Sequence, residues 1–488
     1  MFPHQSKHHL YIGRSGPWGL WPVTLPLHDF QTHIYTVGQS GVGKSKFLQH
    51  ILYELTTKDW GCGVLDPHSD LASDLLAQLT SYPKKRPWLF SGANRQRLIY
   101  FDPARSSHLI PMNILLNSTA TPYDIANNVI EAFRRVWPET LAEAPRFAQI
   151  MRNAILVLAM HKLSLLELER LLTDTEYRKQ LLTRIPDPLV VSFFEKQYNR
   201  WGREQIIFAG PVLNKVSAFL FKPEVRLMLG AQENRLDLRE VMDAGKVLIV
   251  DLGGFHDEET QRLMGSLFMT GMEQAALSRR NIAPDKRTPF FLMIDEFPLY
   301  CVRDATALAR ILSECRKYAL RLGLAHQTIT QLPTERLQGA LENAKMKVVF
   351  GTGRQTAEAI VKELFMPDMR AVKHQVKDED AKERTHPLFD PMMEQFERFI
   401  QIIQRLRRQQ VLVKLPDKQA VHNLRTPSVP PSRIGRVQLE QIKDALVKQV
   451  GLPKSELERQ IRARDAENVQ PLNQHKSQDE FWEKLSVS

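Results

Sequence analysis

Cysteine is scarce in this sequence, with only Cys62, Cys301 and Cys315 in a chain of 488 residues. The number is odd, and no two cysteines have the Cys-x-x-Cys spacing of a zinc or redox motif. The sequence therefore argues against a disulfide framework and against a zinc site. Reduced thiols fit the cytosol.

Long hydrophobic runs are also missing. Stretches such as Val247–Val250 fall far short of the ~20 apolar residues that a membrane-spanning helix needs, and the first residues do not resemble a secretory signal. We find no internal repeat and no low-complexity block. The sequence predicts a cytoplasmic protein with no membrane span of its own, which would lie at the inner membrane only through a partner.

Acidic residues are outnumbered by basic ones. The chain has 66 Lys and Arg against 55 Asp and Glu, which gives a formal net charge of +11 and a pI of about 9.4. A basic balance favours a nucleic acid or another polyanion as partner, although composition alone is a weak indicator.

The strongest motif is a phosphate-binding loop between the apolar run His33–Val37 and a helical stretch, Lys46–Leu55. Glycines let such a loop aim its N–H groups at a polyphosphate, and the following helix adds partial positive charge. Lys44 would reach the β- and γ-phosphates of ATP, and the Ser45 hydroxyl would ligate Mg²⁺. The nucleotide-binding residues are Gly38, Gln39, Ser40, Gly41, Val42, Gly43, Lys44 and Ser45.

Short apolar runs rich in β-branched residues recur along the chain, with helical patterns between many of them. Strands that are buried on both faces have this appearance, so the pattern predicts an α/β fold with a mainly parallel sheet. The predicted strands are His33–Val37, Gly63–Leu65, Leu98–Phe101, Val247–Val250, Phe290–Ile294, Leu320–Ala325, Lys347–Phe350 and Val411–Leu415.

The alternation stops between Pro122 and Asp237, where apolar residues recur at helical spacing. We predict an all-α domain inserted into the sheet domain, and an amphipathic helix near Val437–Val450 in the tail. The predicted segments are 1–121 (N-terminal strands and first part of the core), 122–237 (all-α insert), 238–425 (second part of the core) and 426–488 (proline-rich linker and helical tail).

A second motif follows the predicted strand Phe290–Ile294, where the chain reads Asp295-Glu296. An apolar strand that ends in this pair is typical of a Walker B site. Asp295 would hold Mg²⁺, directly or through water, and Glu296 would orient and deprotonate the attacking water. The alternative is an acidic pair that caps a helix. The presence of the phosphate loop favours the catalytic interpretation.

The predicted strand Leu320–Ala325 ends at His326 and Gln327. In open α/β folds ligands bind at the carboxyl edge of the sheet, so a polar side chain here would lie beside the phosphate loop. Gln327 could sense the γ-phosphate or help to place the water; alternatively it is an ordinary loop glutamine. We expect His326 to be structural.

Two arginines are candidates for a residue that acts in trans on the site of a neighbouring subunit. They are Arg316 at the end of a helix and Arg354 after the strand Lys347–Phe350. An arginine finger stabilises charge on the transferring phosphoryl group, often from a neighbouring subunit. The alternative is that both arginines are solvated or complement a helix dipole. Three further acidic residues at strand ends, Asp66, Asp102 and Asp251, are expected to be structural.

In this order the motifs resemble the type IV secretion coupling-protein ATPases (TraG/TraD-like) of the HerA/FtsK superfamily. The resemblance runs from about His9 to Pro431. It rests on Tyr11–Gly13, the phosphate loop, Gly63–Leu71, Phe101–Pro103, Met112–Asn113, Pro211–Lys215, Val241–Met242, Gly245–Lys246, Ile294–Phe297, Ile311–Tyr318 and Ala325–Gln327.

The resemblance implies a RecA-like core with an all-α domain, assembled as a homo-hexamer that moves DNA through a central channel. By position it assigns ATP and Mg²⁺ to Lys44 and Ser45, the sensor role to Gln327, and the arginine finger to Arg316. Conjugative members of the family usually carry N-terminal membrane helices, which this sequence does not show.

Basic clusters are candidates for DNA contact, because a ring motor must hold the phosphate backbone. A charged surface that is simply solvated is the alternative for each. The clusters are Arg405, Arg407 and Arg408; Lys345 and Lys347; Arg134 and Arg135 with Trp137; and Lys84, Lys85 and Arg86 with Trp88.

Three functions fit these observations. The first is an ATP-hydrolysing DNA translocase that acts in conjugation or a related mobile element, with a relaxase or secretion-channel proteins as partners. The second is a HerA-like ATPase that partners a nuclease or effector in DNA repair or anti-phage defence. The third is a nucleotide-gated recruitment platform without motor activity, against which Glu296 argues because a pure binding switch needs no general base.

Overall fold

The computed structural model describes residues 8–16, 19–28, 30, 32–58, 60–82, 97–105, 107–117, 120–137, 145–301, 305–332, 335–377, 385–416 and 420–469. These residues form two compact units. The sheet unit lies within Met1–Ala104, Asn127–Gln149 and Asp237–Gln449, and the helical unit lies within Arg105–Ala126, Ile150–Leu236 and Val450–Ser488.

The strands alternate with helices along much of the chain. In order they are β1 (His9–Ser15), β2 (Trp21–Pro26), β3 (Ile34–Val37), β4 (Gly61–Asp66), β5 (Leu98–Phe101), β6 (His108–Leu109), β7 (Val247–Asp251), β8 (Phe290–Ile294), β9 (Leu320–His326), β10 (Met346–Val349), β11 (Val372–Lys377), β12 (Thr385–Phe389), β13 (Gln410–Lys414), β14 (Val421–Arg425) and β15 (Leu452–Pro453).

The sheet unit is built on an 11-stranded sheet with the order β2-β1-β14-β13-β10-β3-β9-β8-β4-β7-β5. The strands from β10 to β5 are all parallel, whereas β13, β14, β1 and β2 continue the sheet in antiparallel order. The predicted α/β fold with a mainly parallel sheet is therefore confirmed. A separate antiparallel hairpin pairs β11 with β12.

The parallel strands are the core of this unit. Every residue of β3, β4, β7, β8, β9 and β10 is buried, as expected for strands that are covered on both faces. The antiparallel strands β1, β2 and β14 mix buried and exposed positions, so their sequences lack a continuous apolar run and do not predict their bounds.

The helices lie between these strands and make up most of the helical unit. They are α1 (Lys44–Leu55), α2 (Asp70–Ser81), α3 (Pro122–Val136), α4 (Pro145–Met160), α5 (Leu168–Thr173), α6 (Thr175–Leu182), α7 (Pro188–Ser192), α8 (Gln205–Leu220), α9 (Pro223–Leu229), α10 (Leu238–Asp243), α11 (Glu258–Ser278), α12 (Pro298–Cys301), α13 (Ala305–Glu314), α14 (Glu335–Ala340), α15 (Arg354–Leu364), α16 (Met392–Gln404), α17 (Arg436–Val450) and α18 (Lys454–Val469).

The helical unit is held together by buried polar contacts as well as by apolar side chains. Arg178 is almost fully buried, and its guanidinium donates to the carbonyls of Leu171 and Leu172 at 3.0 and 3.2 Å near the carboxyl end of α5. A cation in this position satisfies carbonyls that have no partner within the helix. In α18, Arg464 donates to Glu167 at 2.8 Å, which connects this helix to the rest of the helical unit.

The boundaries of the two units differ from the boundaries of the predicted segments. Residues 105–121 and 450–469 belong to the helical unit, whereas residues 127–149 belong to the sheet unit. In the sheet unit the Lys443 ammonium of α17 lies 5.6 Å from the centroid of the Tyr100 ring. The four-segment organisation stays a prediction.

In the described part of the chain, no helix combines the length and the apolarity that crossing a bilayer requires.

Candidate nucleotide site

The phosphate loop connects β3 to α1 at the carboxyl edge of the sheet. Gly43 has a φ of 107°, in the left-handed region that favours glycine, and α1 begins directly after it at Lys44. Gly38 is also required, because a Cβ there would lie 2.5 Å from the Cβ of Phe350. The loop therefore takes its shape from glycines at its start and at its end.

Neighbouring loops hold the phosphate loop in place through backbone hydrogen bonds. The N–H of Gln39 donates to the Gly351 carbonyl at 3.1 Å, after β10. The Val42 carbonyl accepts from the N–H of Gln409 at 2.9 Å, in the turn before β13. Segments that flank β10 and β13 on this side of the sheet thus contribute to the position of the loop.

Lys44 and Glu296 meet at this edge although they are 252 positions apart in the sequence. The Lys44 Nζ lies 3.1 Å from Glu296 Oε1, and both side chains are mostly buried, with 7% and 11% of their surface exposed. Gln327 Nε2 donates to the same oxygen at 3.0 Å. The order β3-β9-β8 explains the meeting, because the phosphate loop, Gln327 and Glu296 follow three neighbouring parallel strands.

Glu296 has an unusual backbone conformation, with a φ of +46° in the left-handed region. Non-glycine residues in this region cost free energy, of order 1–3 kcal/mol, and persist where the surroundings hold them. The flanking residues are bonded to neighbouring segments of the sheet: Asp295 N–H donates to the Leu65 carbonyl and Phe297 N–H to the Ala325 carbonyl, each at 3.0 Å. The strained turn aims the carboxylate at the phosphate loop.

Electrostatics keep Glu296 ionised. Burial alone would raise the pKa of this carboxyl, but the Lys44 charge and hydrogen bonds from Gln327, Lys44 and Gln331 outweigh it and hold the pKa below its usual value. Asp295 behaves differently, because burial raises its pKa and the neighbouring Glu296 charge adds to the rise against the opposing charge of Lys44. A divalent cation would reverse that shift.

The donor set fits ATP with Mg²⁺. A loop of N–H groups at the start of α1, a lysine, a serine hydroxyl and a buried aspartate are oxygen and nitrogen groups of the kind that bind phosphates and hard cations. Asp295 Oδ1 accepts from the N–H of Glu296 at 3.1 Å. Ser45 is exposed at the start of α1.

The other acidic strand ends are engaged by structural donors, as predicted. Asp66 is fully buried and accepts from the N–H groups of His68 and Ala72 at the start of α2, both at 2.8 Å. Burial raises its pKa to about 6, and the nearby charges of Asp295 and Asp251 add to the rise. Asp251 accepts from the Ser69 and Tyr100 hydroxyls, and Asp102 accepts from the N–H of Ala104.

His326 is buried, and its Nε2 lies 2.6 Å from the Tyr35 hydroxyl. Burial, assisted by the Lys44 charge, lowers its pKa to about 4, so the ring is neutral at physiological pH. This environment supports the structural role that the sequence suggested.

The two arginines lie on opposite edges of the sheet. Arg316 is exposed in the 3-10 turn Cys315–Tyr318, which precedes β9 at the amino edge, away from the phosphate loop of its own chain. Arg354 begins α15 at the carboxyl edge, where it donates to Glu397 at 3.1 and 2.8 Å and to Glu358 at 2.7 Å. The structure does not bring either arginine to Glu296.

Two of the basic residues proposed for DNA contact, Arg135 and Lys347, are buried, and for these two the prediction is wrong. Arg135 has a fully buried side chain and donates to Glu273 of α11 at 2.9 Å. Lys347 is buried against Glu363 and the Tyr35 ring. Lys84, Lys85, Arg86 and Trp88 lie outside the described residues.

The remaining basic clusters differ in exposure and pairing. Arg134 is paired with Glu131 at 2.5 Å, and the Trp137 indole donates to Glu259 at 2.7 Å. Lys345 is exposed. Arg405, Arg407 and Arg408 are exposed on the turn that bonds to the phosphate loop through Gln409. This last group, the arginine turn (residues 405–409), combines exposure with a position at the site.

Two residues at the site were missed by the sequence analysis. Gln331 Nε2 donates to Glu296 Oε2 at 3.2 Å, and its position four residues after Gln327 was the only signal for it. Gln409 lies in the left-handed region with a φ of 67°, and no local pattern links it to the phosphate loop.

The fold and this site define a P-loop ATPase of the RecA-like class. Residues 10–270 match the family described as "Helicase HerA, central domain". The match spans more than half of the chain and includes the phosphate loop, so the chain belongs to this family. The matched residues end before Asp295, so the assignment of Asp295 and Glu296 rests on the position of Glu296 beside Lys44. A comparison with curated protein sequences found no match.

Solved structures with the same architecture include conjugation proteins. The chain is similar to the bacterial conjugative coupling protein TrwBdeltaN70, with 17% identity over 87% of this chain and 91% of that one and a TM-score of 0.59. It is also similar to the plasmid coupling protein TrwB in complex with ADP and Mg²⁺ (17%, 88% and 91%, TM-score 0.54). VirB4 of Thermoanaerobacter pseudethanolicus is a further match (11%, 86% and 96%, TM-score 0.51). At these identities the likeness shows the fold.

Proposed function

We propose that this protein is an ATP-hydrolysing DNA translocase, a coupling-protein-like motor of conjugation or a related mobile element. The observation that carries the proposal is the 3.1 Å contact between Lys44 and Glu296 at the end of the phosphate loop, with Gln327 on the same carboxylate oxygen. A lysine for the phosphates, a general base and a polar sensor are the parts that phosphoryl transfer to water needs.

The residues divide the chemistry between them. Backbone N–H groups of residues 38–45 would hold the ATP phosphates, with Lys44 on the β- and γ-phosphates. Mg²⁺, held by Ser45 and Asp295, would neutralise charge on the phosphates. Glu296 would orient the attacking water and accept its proton, and Gln327 would report the γ-phosphate to the strand β9.

A homo-hexameric ring would complete each site with an arginine from the next subunit. The position of Arg316 on the edge opposite its own phosphate loop favours this residue for the role in trans, because a head-to-tail contact brings unlike surfaces together. Arg354 is already paired with Glu358 and Glu397 beside its own site, which makes it the weaker candidate.

The arginine turn is the candidate for DNA contact. Its exposed side chains offer positive charge to the phosphate backbone, and its bond to the phosphate loop would transmit DNA engagement to the nucleotide site. ATP turnover measured with and without DNA, for the wild-type protein and for Lys44→Ala, tests the proposal. We expect DNA-stimulated turnover that Lys44→Ala abolishes; turnover in the assembled ring that DNA does not change would contradict translocation.

The match to the HerA central domain supports a second function, an ATPase that partners a nuclease or effector in DNA repair or defence. Co-purification from the native host separates the two, since a relaxase or secretion-channel protein supports the first and a nuclease supports the second. A cytoplasmic location, with contact to the inner membrane only through such a partner, is part of the first proposal.

A further inference from the structure

The Glu296 carboxylate receives a third donor that neither motif includes. Gln331 Nε2 donates to Oε2 at 3.2 Å, whereas Lys44 and Gln327 both donate to Oε1. The two oxygens of the carboxylate are therefore not equivalent. Oε1 is shared by two donors and Oε2 is held by one.

The orientation of the Gln331 amide is fixed by its other end. Its Oε1 accepts from the N–H groups of Gln327 at 3.0 Å and Thr328 at 3.1 Å, so Nε2 must be the atom that faces Glu296. Gln331 ends the 3-10 turn Ile329–Gln331, which is bonded to α15 through the N–H of Ile329 and the Thr356 hydroxyl at 3.1 Å. The amide is thus held by the sensor segment and by a neighbouring helix.

A carboxylate has about four acceptor positions on its two oxygens. Three of them are used by Lys44, Gln327 and Gln331, and the position that remains is on Oε2. We propose that Gln331 is a positioning residue for hydrolysis, which orients Glu296 so that Oε2 is the oxygen that accepts the proton of the attacking water. The inference rests on the proposed ATPase function and assigns a role to a residue outside its motifs.

Gln331→Glu is the sharpest test because it separates two roles of this side chain. A glutamate keeps an oxygen that accepts from Gln327 and Thr328, so the turn stays capped. It loses the N–H donor to Glu296 and adds a negative charge beside it. Gln338→Glu is the matched control, since Gln338 donates from Nε2 to the Leu332 carbonyl at 2.9 Å and the change removes an amide donor with the same charge change.

We expect Gln331→Glu to lower kcat about 10- to 100-fold, the effect of losing one hydrogen bond to a charged group, with little change in nucleotide affinity. A residue that only capped the turn would leave kcat unchanged in Gln331→Glu, because the glutamate keeps the accepting oxygen. Gln331→Ala should show the same loss of kcat without a loss of nucleotide affinity, which provides a second variant if the glutamate does not fold. Gln338→Glu should retain the wild-type kcat.

The outcomes distinguish this inference from the proposed function. If the wild-type protein binds nucleotide but does not hydrolyse it, the proposed function fails. If the wild type hydrolyses ATP and both folded Gln331 variants keep its kcat, Gln331 is only a cap and the inference is wrong. A loss of kcat that is matched by a loss of nucleotide affinity would also contradict it, whereas a loss of kcat with unchanged nucleotide affinity supports it.

Discussion

The N–H of Gln409 donates to the carbonyl of Val42 at 2.9 Å, so the turn that carries three exposed arginines is bonded directly to the phosphate loop. Gln409 adopts a left-handed φ of 67° to make this contact. A second bond, from the N–H of Thr426 to the Gln409 carbonyl at 2.8 Å, fixes the turn to the end of β14. The arginine turn therefore shares backbone hydrogen bonds with both the phosphate loop and the end of β14.

The first prediction concerns this turn. The double variant Arg407→Ala/Arg408→Ala should weaken binding to DNA of any sequence and lower the slope of log K against log salt by about 1 for each phosphate that the protein no longer neutralises. The measurement is DNA affinity by fluorescence anisotropy over a salt series. The control is Arg436→Ala/Lys448→Ala, which removes the same charge from exposed positions on α17. Equal slopes for the two double variants would exclude the turn from DNA contact.

The second prediction tests Glu296 as the general base. Glu296→Gln keeps the size of the side chain but cannot accept a proton, so kcat should fall by about 10²–10⁴, the usual contribution of a general base. Nucleotide affinity should be kept or increased, because the change removes a negative charge that competes with the phosphates for Lys44. Steady-state turnover and binding of a fluorescent ATP analogue give the two numbers. If the variant keeps turnover within a fewfold of the wild type, a residue other than Glu296 is the general base.

The third prediction asks whether Arg316 acts in trans. Lys44→Ala and Arg316→Ala should each abolish turnover in a ring made of one variant. When the two variants are mixed, an interface is complete if the intact phosphate loop of one variant meets the intact arginine of the other. Random mixing in equal amounts makes about a quarter of the interfaces complete. Recovery of turnover on mixing is expected. No recovery from mixtures that native mass spectrometry shows to be mixed would argue against Arg316.

The two motifs and the central strands were predictable from the sequence, whereas the contacts that complete the site were not. Phe290–Ile294 is a strand because its apolar run is local and continuous, and Asp295-Glu296 follows it at the edge where ligands bind. Gln331 and Gln409 act through partners that are distant in the sequence, so no periodicity marks them. The pairing of Arg135 with Glu273 joins residues 138 positions apart, so the sequence does not show it.

The last prediction follows from the buried Asp66. Its pKa of about 6 in the folded protein lies above the ordinary value of 3.8, so the folded state binds the proton more tightly than the unfolded chain. This group therefore stabilises the fold fully below pH 3.8, and its contribution is lost as pH rises through 6. A rise of roughly two pKa units corresponds to about 3 kcal/mol in the free energy of unfolding.

Asp66→Asn removes this titration while its side-chain oxygen can still accept from an N–H group at the start of α2. Relative to the wild type, the variant should gain about 3 kcal/mol of stability between roughly pH 4 and pH 7. Asp295, which also has a raised pKa, and Asp251 are present in both proteins, so the difference isolates Asp66 to first order. Urea unfolding at several pH values measures it. A difference that is constant with pH, or that falls as pH rises, would show that Asp66 is not the group that titrates.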